Sequence, residues 1–106
     1  MGDYNWACFA AQQAIEKALK ALILHDLGKY PRGHDLVKLY NMVRNRVSLE
    51  LNIADLARVS SYYTQARCPN AGIERPSQEI TREQAIEAAR IAEVVIGEIE
   101  RIIRDP

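Results

Sequence analysis

Apolar positions recur with a helical period along nearly the whole chain, and no stretch shows the two-residue alternation of a half-buried strand. The first segment runs from about Asp3 to Leu27. Asp3, three residues before Trp6, is placed to cap its first turn. From Ala7 to Leu24 there is no Gly or Pro, and good helix formers dominate. Cys8, Ala11, Ile15, Ala18 and Leu22 form an apolar seam that Leu19 and Ile23 widen. Gln13, Glu16, Lys17 and Lys20 leave only a narrow wet stripe, so this helix is expected to be buried over most of its circumference. Gly28 suits a left-handed C-cap, and Pro31 prevents continuation.

After the linker 28–34, a second helix is predicted to begin near His34 or Asp35, with Leu36, Leu39, Tyr40 and Val43 on one side. Its basic residues Lys38, Arg44 and Arg46 favour the C-terminal half, as the helix dipole does. Ser48 can cap a third helix of roughly 50–66, whose inner seam reads Leu49, Ile53, Leu56, Ala57 and Ser60. Residues 67–80 hold Pro69, Asn70, Gly72 and Pro76, which are turn residues. The last helix opens on Thr81 and Gln84 at capping-box spacing and runs to about Arg104. Ala85, Ala88, Ala92, Val95, Ile99 and Ile102 make its core seam. Ile86, Ala89, Ile96 and Ile103 suggest a second contact surface, and Gly97 hints at close approach of another backbone, with chance tolerance of a glycine the equal alternative.

These elements predict an all-α, antiparallel up-and-down bundle: four main helices, two long and outer and two shorter and central, with room for an extra short helix. Residues 1–106 form a single domain in this reading. Two long helices that are both broadly apolar in so small a domain point to a homodimer, with a thick, Ala-rich monomer core as the alternative.

Composition narrows the classes. Apolar residues make up 48% of the 106, enough for a core, and Gly and Pro are too few for a collagen-like or low-complexity chain. No apolar run approaches the length of a membrane span and no secretory leader is expected. Two cysteines are no disulfide framework, which suits a reducing, cytoplasmic setting. The formal net charge is zero, so the chain is no general nucleic-acid binder. Charge is uneven, however: residues 29–67 carry seven basic and three acidic residues.

Among residues able to carry chemistry, His25-Asp26 and His34-Asp35 combine imidazole with carboxylate. A catalytic zinc needs three protein ligands, so helix-end roles account for them better and no metal is expected. Cys8 reads as a small buried hydrophobe, and Cys68 beside Arg67 lacks a catalytic partner. There is no C-x-x-C, glycine-rich phosphate loop or H-E-x-x-H, so no cofactor is implied. The run Ser60 to Arg67 says more. Tyr62 and Tyr63 cannot share a face, so one packs inward while the other meets solvent or a partner. Arg67 offers a five-donor fork for phosphate or carboxylate. With Lys29, Arg32, Arg44 and Arg46, Tyr63 and Arg67 are candidates for an anionic-ligand or RNA-facing surface; a hydrogen-bonded corner is the alternative.

The segment from Asp3-Tyr4-Asn5-Trp6 to Lys17-Ala18-Leu19-Lys20-Ala21 resembles the opening helix of HEPN domains, small helical bundles of prokaryotes and some higher eukaryotes. Gly33-His34-Asp35-Leu36 resembles the start of their second helix, and Tyr62-Tyr63-Thr64-Gln65-Ala66-Arg67-Cys68-Pro69-Asn70 their tyrosine–arginine–proline corner. The resemblance covers essentially the whole chain. It implies a helical dimer. Many such proteins are encoded beside a minimal nucleotidyltransferase and behave with it as toxin–antitoxin pairs. Others are metal-independent ribonucleases marked by Arg, four to six spacers and His.

Here the pattern departs. The histidine expected at 72–74 is replaced by Gly72, Ile73 and Glu74, and Arg32, Arg44, Arg46 and Arg58 have no such His either. Arg67 can bind phosphate but cannot shuttle a proton; Tyr63, Glu74 or His34 are the groups a dimer could recruit. The resemblance therefore favours a non-catalytic or weakly active binding partner of a minimal nucleotidyltransferase, presenting nucleotide or RNA. A ribonuclease with a divergent site built on Arg67 and a structural helical adaptor are the alternatives.

Overall fold

The computed structural model describes residues 2–67 and 80–104, and the side chains within 4–65 and 80–104. Among the described residues five helices occur in order: α1 (Gly2–Leu27), α2 (Leu36–Val43), α3 (Ile53–Ser60), α4 (Tyr62–Arg67) and α5 (Arg82–Arg104). No strand occurs among the described residues. The architecture is the all-α bundle of four principal helical segments, with the third divided in two. Residues 68–79, expected from Pro69, Asn70, Gly72 and Pro76 to turn and including Cys68 and Glu74, lie outside the described residues.

The long α1 and α5 pack most extensively on each other. The buried seam of α5 is small in its first half, at Ala85, Ala88 and Ala92, and larger in its second, at Val95 and Ile99. From α1 the core takes Cys8, Ala11, Ile15, Leu19, Leu22 and Ile23, all buried. Leu36, Leu39, Tyr40 and Val43 close the core from α2 as their spacing predicts. The ends also follow local chemistry. Gly28 adopts φ +73° and donates its N–H to the Leu24 carbonyl at 3.0 Å. Asp35 caps α2 through the Val37 and Lys38 amides. Thr81 and Gln84 form the reciprocal capping box, with Thr81 N to Gln84 Oε1 at 2.8 Å and Gln84 N to Thr81 Oγ1 at 3.1 Å.

Several expectations are revised. Helix α1 already includes Gly2, so Asp3 lies within the first turn. The third helix is capped by Asn52, whose side chain accepts from Asp55 N, and not by Ser48. The buried Tyr40 hydroxyl explains this: it donates to Leu49 O at 2.8 Å and accepts from Leu51 N at 3.0 Å, holding the chain out of helix until Asn52. The helix then breaks at Ser61, whose hydroxyl turns back to the Arg58 carbonyl at 2.7 Å. Its seam is Leu56, Val59 and Tyr62, while Ile53 and Ala57 face outward. Finally, a Cβ added at Gly97 would meet nothing within 4 Å, so among the described residues no backbone of another element approaches it.

Gly97→Ala should therefore raise stability by about 1 kcal/mol in urea unfolding, the ordinary helix-propensity gain. A loss would mean that another chain packs there. Ile99→Asp, which buries an unpaired carboxylate, should abolish the cooperative melt; a shift of a few degrees would contradict the seam.

Candidate functional site

Gln12, Glu16 and Lys20 are spaced i, i+4, i+8, which stacks them along one face of α1. Sequence reading placed Glu16 and Lys20 in a wet stripe. They are only 5% and 7% exposed, and Gln12 is fully buried. The cover is the 28–34 connection, which passes back along α1 before α2 starts. Tyr30 lies over Lys20, with Nζ 5.7 Å from the ring centroid, and His34 lies over Gln12 and Glu16. The available signal was the strict four-residue spacing of three polar side chains on a helix apolar nearly all round. Such a helix has little wet surface left to give them.

Glu16 is the hub. Its Oε2 accepts from Lys20 Nζ at 3.0 Å, and its Oε1 accepts from His34 Nδ1 at 3.0 Å and from the Gln12 and Gln13 amides at 3.3 Å. Burial pushes the Glu16 carboxyl up, but hydrogen bonds from Lys20, His34 and Gln12, with the Lys20 charge, outweigh it and hold the carboxyl below its ordinary value. A carboxylate only accepts, so His34 donates from Nδ1 and, in the neutral ring, Nε2 is the nitrogen without a proton. Gln12 Nε2 also donates to the His34 carbonyl at 2.9 Å, and the Leu36 amide donates to Ser60 Oγ at 3.0 Å. The backbone around His34 is thus tied to α1 and α3.

The other face of the constellation is aromatic. The His34 ring stacks on Tyr63 with centroids 3.8 Å apart and planes 15° from parallel. Tyr63 meets Phe9 at 5.9 Å, and Phe9 meets Trp6 at 5.7 Å. Trp6 ends this row 67% exposed. Of the adjacent tyrosines, Tyr62 is buried and Tyr63 half-buried, the division expected of neighbours on a helix. His34, Asp35, Ser60, Ser61, Tyr63 and Thr64 line an open groove of about 410 Å³.

The basic candidates are distributed differently. Arg44 donates to Asn41 and packs 5.1 Å from the Tyr40 ring, and Arg46 pairs with Asp26 at 2.7 Å. Both lie past the far end of α2, a helix of about 12 Å, from the His34–Tyr63 stack. Arg32 and Lys29 are exposed in the connection, and the Arg67 side chain is outside the description. The structure therefore joins Tyr63 to His34 and Glu16, and not to Arg44 or Arg46. Cys8 is fully buried, and burial pushes its thiol up, which keeps it inert. Among the described residues no group of three His, Cys, Asp or Glu side chains could hold a metal ion, and no helix is long and apolar enough to cross a membrane.

The fold is a small all-α bundle in which a glycine–histidine–aspartate turn docks on the first helix, beside a tyrosine pair from a short fourth helix. The family model of the HEPN domain matches residues 1–102, and the chain belongs to that family. Comparison with curated proteins and with solved structures gave no significant match.

The depressed carboxyl sets a pH dependence. Glu16 contributes stability above its ordinary value of 4.5, and the contribution is lost as pH falls through the lower folded value. Glu16→Gln should cost about 2 kcal/mol near neutrality, because it leaves buried Lys20 without its counter-charge. The gap from wild type should close in urea unfolding below about pH 4.5. A gap that is constant with pH would contradict an ionised Glu16.

Proposed function

We propose that this HEPN protein is a binding subunit, with weak or no catalysis of its own, that presents a nucleotide or single-stranded RNA to a minimal nucleotidyltransferase in a toxin–antitoxin-like pair. It acts as one domain over residues 1–106 and as a cytoplasmic homodimer. The observation that carries the reading is the row Trp6–Phe9–Tyr63–His34, rings in series that end in an exposed indole. Bases stack on such surfaces with little regard to sequence. Arg32 and Arg67, close in sequence to the two ends of the His34–Tyr63 stack, are the candidates for the accompanying phosphate.

Two further points support a binding role. The Arg–spacer–His signature of the ribonuclease branch is missing, with Gly72, Ile73 and Glu74 at the positions concerned. Exposed Ile53, Ile86 and Val94 near the groove between α3 and α5 leave apolar surface for a second subunit.

Trp6 is the only tryptophan, so its fluorescence reports directly on the row. Titration with a mixed-sequence single-stranded 12-mer RNA should give saturable quenching, and Tyr63→Ala should weaken binding about tenfold, the loss of one stacking contact. Absence of quenching, together with no RNA retained in equilibrium dialysis, would contradict the proposal.

A further inference from the structure

The groove between α3 and α5 takes no part in the aromatic row and has a chemistry of its own. Leu51, Leu56, Ile91, Val94 and Val95 give it an aliphatic lining, and Val94 is 57% exposed. Ile53 and Ile86, next in sequence to the lining residues Asn52 and Glu87, are exposed as well. Its volume of about 230 Å³ falls short of the roughly 300 Å³ at which small-molecule sites begin, and suits side chains presented by another protein. The charged part of the lining is acidic: Glu50, Asp55 and Glu87 stand against Arg90 alone. Arg58 shows what these carboxylates accept. Its Nε and Nη2 donate to the two Glu87 oxygens at 3.3 and 3.2 Å, and Nη2 donates to Asp55 too, which ties the α3 wall to the α5 wall. Among the described residues Glu50 makes no ion pair, so its charge is left for an occupant.

We propose that the groove between α3 and α5 is the docking site for a helical segment of a partner protein, apolar on one face and carrying lysine or arginine at the margin of that face. This rests on the preceding reading only for the existence of a protein partner, and it does not depend on RNA binding. An amphipathic helix lays side chains spaced i, i+3 or i+4 and i+7 into such a groove. Its aliphatic anchors meet Leu51, Ile91 and Val94. A lysine or arginine stem covers the same apolar lining while its charged head meets Glu50. A second copy of this chain fits less well. A two-fold contact through this face would set the acidic lining against itself, and like charges brought together oppose association. The groove shares no lining residue with the one beside His34 and Tyr63, so both can be occupied at once.

The test titrates the full chain, isotope-labelled for amide NMR, with a short synthetic helical peptide that has leucine on one face and lysine along its margins. The control peptide carries glutamate in place of every lysine. The lysine peptide is expected to bind saturably, with shifts centred on Leu51, Ile91 and Val94, and more weakly as salt rises. The glutamate peptide should bind at least about tenfold more weakly. Val94→Asp, at an exposed position and checked by melting to be folded, should weaken the lysine peptide about tenfold or more, the loss of an apolar anchor. Glu50→Lys should narrow or reverse the preference between the two peptides. No binding, equal binding of both peptides, shifts centred elsewhere, or full affinity in Val94→Asp would overturn the assignment. A wild type that sediments as a dimer and becomes monomeric on Val94→Asp would make the groove an interface between copies and overturn it too. RNA quenching of Trp6, read in the same samples, separates the two readings. Its absence counts against RNA presentation and leaves the groove standing, whereas quenching without peptide binding overturns the groove alone.

Discussion

A carboxylate buried on a helix that is apolar round most of its circumference must be met by donors, and meeting them shapes much of this molecule. Glu16 could be desolvated at a cost of several kcal/mol if left alone. Instead Lys20 comes from its own helix, four residues on, and Gln12 and Gln13 from the preceding turn. The remaining donor, His34, comes from the connection. Recruiting it draws residues 28–34 back along α1, over the polar stripe, and determines where α2 begins. With Gln12 on the His34 carbonyl and Ser60 on the Leu36 amide, α1, α2 and α3 are referred to one point.

From that point the functional surface follows. The imidazole has one nitrogen committed and one ring face covered by Tyr63, which α4 supplies because the chain turns at Ser61. Tyr62 goes into the core and anchors the same short helix, and burial raises its phenol accordingly. Arg58, one turn before, ties α3 to α5 through Glu87 at 3.2 Å. The aromatic row is therefore held from beneath by the packing of α1 and α5 and from the side by α3. Membership in the HEPN family agrees with this frame.

How legible this was depends on whether the deciding interaction was local. The Thr81–Gln84 box, the Gly28 cap, the Asp35 cap and the seams of α2 and α5 are short-range and were read directly. Ser48 was misread because the competing constraint, the Tyr40 hydroxyl, reaches Leu49 from nine residues away and acts through packing. Glu16 and Lys20 were misread for the same reason. Charge at helical spacing ordinarily marks a solvated face, and only the returning connection makes it an interior one. Tyr63 was singled out, but its partner is an imidazole 29 positions away, where spacing pointed to arginines. Arg44 and Arg46 instead serve Asn41, Tyr40 and Asp26 at the other end of α2.

The central claim is that an ionised, buried Glu16 fixes His34 in one tautomer and one orientation. Long-range proton–nitrogen NMR of the imidazole nitrogens tests it most directly. In the neutral ring of wild type the proton is expected on Nδ1 with Nε2 bare, and Glu16→Gln is expected to lose that preference. A wild-type His34 that carries its proton on Nε2, or exchanges between tautomers like a free imidazole, would contradict the account.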